Sequence, residues 1–152
     1  MLRLVEEATI HAPPADVFRV MTDFERYAEW NPWIREAHGA ADEGAVVAVK
    51  VKLGKGTTSV EHRVLENVPG VALRWCDTGW FTAIAYGERA RRLEPLPGGD
   101  VAYRVELTVT GIGWRLVRAL YGRSLERGMR EETAALKQRA EAMAGAACTG
   151  PT

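Results

Sequence analysis

The segment WRLVRALYGRSLERGMREETAALKQRAEAMA, residues Trp114 to Ala144, decides how the rest of the chain is read. It is a long stretch without proline, and its glycines are Gly122 and Gly128 alone. Leu125, Met129, Glu132, Leu136, Ala140 and Met143 recur at helical spacing, and Val117 with Tyr121 carries the stripe backwards. The spacing predicts one amphipathic helix, roughly 45 Å long at about 1.5 Å per residue. A helix of that length needs a broad surface to lie on, and the residues before it alternate as successive β-strands.

Working back from the helix, Gly111 and Gly113 release the chain from a strand. Its residues Val101, Tyr103, Val105, Leu107 and Val109 alternate with Ala102, Arg104, Glu106, Thr108 and Thr110. Leu96 to Asp100 is a turn, and Phe81 to Leu93 is expected as one long strand bent near Gly87. Val71, Leu73 and Trp75 alternate with Ala72, Arg74 and Cys76. Val60, His62 and Val64 share one side of a strand from Thr57 to Asn67. Val47, Val49, Val51 and Leu53 line one side of the strand before it. At the N-terminus a strand from Arg3 to His11 stops at Pro13-Pro14. Pro14 suits a first helical turn and starts a helix through Met21. Thr22 and Glu25 have the spacing of a capping box for a second short helix, Asp23 to Glu29, which Asn31-Pro32 ends. Consecutive strands with short turns pair as an antiparallel meander of about six to seven strands. The fold class is α+β: one domain over residues 1–145 and an expected disordered tail over 146–152.

Bulk properties exclude several functions. A chain of 152 residues with 47% hydrophobic content can bury one core. Twenty basic residues balance twenty acidic ones, which argues against nucleic acid as a partner. No apolar run approaches the ~20 residues of a membrane span, so stable membrane insertion is not expected. Acids occupy the N-terminus where a signal peptide needs an apolar core, and Cys76 and Cys148 form no spacing motif. A reduced, cytoplasmic setting follows as the expectation. Histidine and cysteine spacing supports no metal site, no nucleotide fingerprint is present, and no cofactor is implied.

Three stretches carry a resemblance: ATIHAPPADVFRVMTDFERYAEWNPWI (8–34), GERARRLEP (87–95) and RGMREETAALKQRAEA (127–142). With the order strand, two short helices, antiparallel strands and long terminal helix, the chain resembles the START-related superfamily. That group is also called SRPBCC or the polyketide cyclase/dehydrase and lipid-transport group. The resemblance implies a helix-grip fold, a curved sheet wrapped on the terminal helix, with an apolar cavity between them. The sequence departs from such relatives at Val105 and Leu107, where some carry a His and a Glu. It departs again at Arg89 and Arg91, where a His and a Phe would stand. This implies an apolar wall beside a strand that has gained cations.

The expected wall comprises Val47, Val49, Val60, Val71, Leu73 and Trp75 on the middle strands. Phe81, Tyr103, Val105 and Leu107 continue it on the later strands, and Tyr121, Leu125 and Met129 on the helix. On periodicity alone it reads as an ordinary core; with the fold resemblance it reads as the lining of a ligand site. Gly122 and Gly128 imply either space or close packing beside the helix, because each costs about 1 kcal/mol there. Strand parity turns Arg89 and Arg91 inwards, where a ligand carboxylate is one acceptor; the alternative is a solvated face paired with Glu88, Glu94 or Glu106. His62 is the one inward-facing histidine, able to move a proton with Tyr103 or Tyr86, or to be a hydrogen-bonded rim residue. Trp30 and Trp33, flanking Pro32, either gate the cavity mouth or plug the sheet's open end. Arg115, Arg118, Arg123, Arg127 and Arg130 fall around the helix, which reads as a solvated face.

Three functions fit. One is enclosure of a small hydrophobic ligand, lipid-like or polyketide-like, by a monomer or homodimer. A second is a cyclase or dehydratase (lyase or isomerase chemistry) using the same cavity, with His62, Arg91 and Tyr103 as candidate catalytic residues and no clear catalytic constellation. The third is docking on a protein partner, which predicts an exposed apolar patch and a filled interior.

Overall fold

Alternation of apolar and polar side chains produces strands where expected, and their register fixes what lies opposite what. The computed structural model describes residues 1–148. Strands β1 (Leu2–Ile10), β2 (Ile34–His38), β3 (Val46–Leu53), β4 (Gly56–Val68), β5 (Ala72–Asp77), β6 (Tyr86–Pro95) and β7 (Val101–Thr110) form one sheet. Its order is β1-β7-β6-β5-β4-β3-β2, with every pair antiparallel. The first strand thus returns to pair with the last, and the curled sheet closes part-way round a single long helix. Helix α1 (Pro14–Thr22) and helix α2 (Tyr27–Trp30), with a 3₁₀ turn at Phe24–Arg26 between them, follow β1. Helix α3 (Trp114–Cys148) packs along β1 and against α1. This is the helix-grip architecture.

Several local expectations need correction. Thr22 does not cap the second helix: it is still the last residue of α1, and its hydroxyl donates to the Phe18 carbonyl at 2.9 Å. Glu25 is drawn instead to His38, with Nδ1 at 2.8 Å. Phe81 does not begin β6, because Trp80–Ala83 forms a 3₁₀ turn entered through Gly79 at φ +106°. Gly87 lies inside β6 with unbroken pairing to β7; its N–H donates to Asp77 Oδ2 at 3.0 Å, and a Cβ there would overlap that carboxylate. Val71 lies outside the wall, 47% exposed in the turn before β5. The helix also runs to Cys148, so 146–148 of the expected tail are helical, while 149–152 lie outside the described residues.

The core is continuous. Val17, Phe18 and Met21 of α1 and Phe24 and Tyr27 after it meet Val47, Leu73, Tyr103, Met129 and Leu136. Asn31 turns the chain into β2: its Oδ1 accepts the N–H groups of Trp33 at 3.0 Å and Ile34 at 2.9 Å, which points Trp33 inwards.

Candidate functional site

The register stacks the inner face in levels. One level reads Val64, Trp75, Arg89, Leu107 and Leu4 across β4, β5, β6, β7 and β1. The next towards the core pairs Leu73 with Arg91 and Val105, and the next towards the start of α3 pairs Gly87 with Val109. Because α3 begins beside Val109 and runs past these levels, its first half faces one side of the Trp75–Arg89 row and its middle the other.

On the core side the space is filled. Arg89 and Arg91 face inwards as parity predicts and are 4% and 2% exposed. Their carboxylate comes from the protein: Glu132 of α3, 1% exposed, places Oε2 at 2.7 Å from Nη2 of Arg89 and Oε1 at 3.7 Å from Nη2 of Arg91. The shorter contact is out of line for a hydrogen bond, so it counts as an ion pair alone. Arg91 donates through Nη1 to the Tyr27 hydroxyl at 2.9 Å, and Tyr27 in turn donates to the Met21 carbonyl. Burial would lower the Arg91 pKa, but Tyr27, Glu132 and Tyr103 together raise it. Burial pushes the Tyr103 hydroxyl up to about 12, opposed in part by both arginines, and raises Tyr27 likewise, so both phenols stay neutral. Trp75 carries the Arg91 guanidinium 4.4 Å from its ring centroid, and Trp33 carries that of Arg89 at 4.9 Å. The acceptor that the sequence reading gave to a ligand is therefore met in large part from within the fold.

On the other side a cavity of about 240 Å³ remains between the sheet and the first half of α3. Val51, Leu53 and Val60 line it from β3 and β4, Trp33, Trp75, Leu107 and Val109 form its floor, and Val117, Tyr121 and Leu125 form its roof. Phe81 and Ala85 close one end. Trp33 is clamped here by Gly128, where a Cβ would overlap the indole, and by donation from Nε1 to the Lys52 carbonyl at 3.0 Å. Close packing is thus the reason for Gly128, whereas nothing crowds Gly122 more closely than Arg118 Cγ at 3.6 Å.

Polar groups at this cavity are few. Arg89 reaches it from below, and its Nε has no hydrogen-bond acceptor among the described residues. His62 stacks flat on Trp75, centroids 4.9 Å apart and planes 8° apart. Its Nδ1 lies 3.1 Å from Asp77 Oδ1, directly across the β4–β5 ladder, though the contact is out of line for a hydrogen bond. Asp77 is held in turn by the Gly87 N–H. The partner expected for His62 was a tyrosine; the structure supplies a carboxylate, because register sets His62 opposite Asp77.

Of the residues expected at the site, Trp33, Val60, His62, Trp75, Phe81, Arg89, Leu107, Tyr121 and Leu125 come together around the cavity. Val49, Leu73, Arg91, Tyr103, Val105 and Met129 do not reach it and belong to the filled core, and Trp30 packs on Tyr27 with centroids 5.1 Å apart. Sequence reasoning missed Ile34, Val51, Leu53, Asp77, Ala85, Gly87, Glu88, Val109 and Val117 as lining. Alternation tells which face a residue is on and nothing about its height along the strand. The strand pairing supplies the height.

Fold and cavity define a helix-grip protein with a mainly apolar cavity between its sheet and its long helix. The chain belongs to the polyketide cyclase/dehydrase and lipid transport family, whose description matches residues 1–141. No curated protein matches the sequence. Among solved structures it is similar to a START superfamily protein from Mycobacterium smegmatis (18% identity, 93% of this chain and 98% of that one, TM-score 0.72). It is also similar to the ZhuI aromatase/cyclase from Streptomyces sp. R1128 (14% identity, 92% and 93%, TM-score 0.71). A protein from Chromobacterium violaceum is similar at 19% identity, over 91% of this chain and 96% of that one, with a TM-score of 0.72. Likeness at these identities establishes the shared fold.

Proposed function

We propose that the protein encloses a small hydrophobic molecule in the chamber between its sheet and the first half of α3. The observation that carries this is the 240 Å³ cavity, lined almost wholly by aliphatic and aromatic side chains in a protein whose other half is close-packed. An apolar cavity of about 150 Å³ holds benzene, and drug-sized ligands need about 300 Å³ or more. The volume therefore suits one or two fused rings, with any longer chain leaving through the mouth. The unpaired Arg89 Nε favours a ligand with an oxygen acceptor at its inner end. Native mass spectrometry of protein purified from its own host should reveal a co-purifying apolar compound. The filling variant Leu107→Trp should lose it; a compound retained equally by that variant would show that it binds elsewhere.

A second reading, a cyclase or dehydratase, rests on the His62–Asp77 pair beside Arg89. His62 would accept a proton from a carbon next to a carbonyl while Arg89 faces the developing enolate oxygen. Of the earlier catalytic candidates only His62 lines the cavity, so Asp77 and Arg89 take the places considered for Tyr103 and Arg91. A bicyclic ketone such as 2-tetralone tests it: the protein should speed exchange of the α-hydrogens for deuterium, and His62→Ala should abolish the gain. Exchange no faster than in buffer removes the enzymatic reading and leaves the binding one standing.

A further inference from the structure

The first turns of α3 are apolar on two faces, about 100° apart around the helix. Val117, Tyr121 and Leu125 form the inner stripe over the cavity. Leu116 and Leu120, 63% and 61% exposed, form an outer stripe one turn apart, and Ile112, 90% exposed, continues it back before the helix. No residue from Gly111 to Arg127 is buried. A neighbouring loop widens the patch. The Gly113 N–H donates to the Ile84 carbonyl at 2.9 Å, bringing the segment with Ile84 and the 83% exposed Trp80 against the start of α3. A helix apolar on two faces is normally covered on both, and here the outer one is bare.

The charge around this patch has one sign. Thr78 to Gly87 and Thr108 to Leu125 contain no acid, while the second stretch contributes Arg115, Arg118 and Arg123. None of these three has a carboxylate partner among the described residues; Arg3, Arg74, Arg92, Arg104 and Arg130 are paired, while Arg35, Arg63 and Arg127 are also without one. A second copy is a poor occupant, because a two-fold contact would set the same three arginines against each other with no acid to relieve them. A protruding tryptophan and aliphatic tip flanked by arginine instead suits the boundary between headgroups and acyl chains. We propose that this end of the molecule docks on a bilayer carrying anionic lipid. Trp80, Ile112, Leu116 and Leu120 enter the interface, and Arg115, Arg118 and Arg123 meet the phosphates. This goes beyond the binding reading and does not depend on it.

The test mixes the full chain with vesicles of phosphatidylcholine alone, or with about a third phosphatidylglycerol, and reads the bound fraction by sedimentation. Binding to the anionic vesicles should be ~10-fold stronger, weakening as salt is added. The combined variant Trp80→Ser, Ile112→Ser, Leu116→Ser should reduce it ~10-fold with its circular dichroism unchanged, since all three side chains are exposed. Should that variant unfold, Trp80→Ser alone is read in its place and should still weaken binding. Replacing Arg115, Arg118 and Arg123 by Gln should erase the preference for phosphatidylglycerol. Failure to bind anionic vesicles, or binding that the apolar variants retain in full, overturns the proposal. So does a dimer in sedimentation equilibrium that the apolar variants dissolve, which would give the face to a second copy.

Discussion

Gly122 and Gly128 lie on the same helix and read alike in the sequence, yet only one of them is under steric constraint. Gly128 admits the Trp33 indole, while Gly122 faces only Arg118 Cγ at 3.6 Å. Gly122→Ala should therefore stabilise the protein by up to about 1 kcal/mol through helix propensity. Gly128→Ala should destabilise it by about 1–2 kcal/mol, since overpacking at about 1–3 kcal/mol outweighs that gain. Urea unfolding of the two variants decides, and equal effects would contradict the seating of Trp33. Glu132 carries a larger stake. It is the one carboxylate shared by Arg89 and Arg91, so Glu132→Leu strands two buried cations and should cost about 3–5 kcal/mol in the same assay. Replacing all three together, Arg89→Met, Arg91→Met and Glu132→Leu, should recover most of that loss, because a well-packed apolar trio is often neutral relative to a buried ionic one. From sequence Glu132 was visible as a stripe position on the helix, but its partners lie on a strand some forty residues earlier, and no local pattern joins them.

Among the elements, the segment between α1 and β2 departs furthest from its sequence reading. The Thr22–Glu25 spacing has the form of a capping box. Thr22 bonds back into its own helix, and Glu25 reaches across to His38 at the end of β2. That cross-link has a pH signature. The hydrogen bond that His38 donates to Glu25, and then the Glu25 charge, raise the His38 pKa, and His38 correspondingly lowers that of Glu25. For a histidine raised on folding, the contribution is fully present below the ordinary value of about 6.5 and is lost as pH rises through the raised one. NMR titration should place the His38 midpoint above about 6.5, and Glu25→Gln should bring it down. A midpoint indifferent to that substitution would remove the cross-link. The strands fared better: period-two alternation identified β1, β3, β4, β5 and β7 within a few residues, because each shows one face to the core and one to solvent. The long strand expected from Phe81 failed because an exposed turn with a positive-φ glycine carries no apolar rhythm of its own. Helix α3 was legible from Trp114 to Ala144 though not in its last turn to Cys148, and its two halves do different work: Val117, Tyr121 and Leu125 roof a cavity, and Met129, Glu132 and Leu136 fill a core.

Over the whole molecule, the architecture was legible because a long uninterrupted helical stripe and a run of alternating strands leave few ways to bury both. The candidate site was legible only as a face. Leu73, Val105 and Met129 share the cavity's side of their elements but belong to the packed level of Arg91 and Tyr103, and Val49 is packed into the core although it pairs with the lining Val60. Which half is hollow depends on where bulky groups meet across the sheet, and that information resides in the register. The two halves also respond differently to probing, which makes the central claim measurable. A bicyclic apolar probe, 2-naphthol, is added to isotopically labelled protein, and chemical shifts are followed by NMR. Saturable shifts should gather on the indole N–H groups of Trp33 and Trp75 and on the methyl groups of Val60, Leu107 and Leu125, leaving Leu73, Met129 and Leu136 unmoved. Shifts that never saturate, or that fall on the core residues and the outer surface alike, would contradict a ligand chamber beneath the first half of α3.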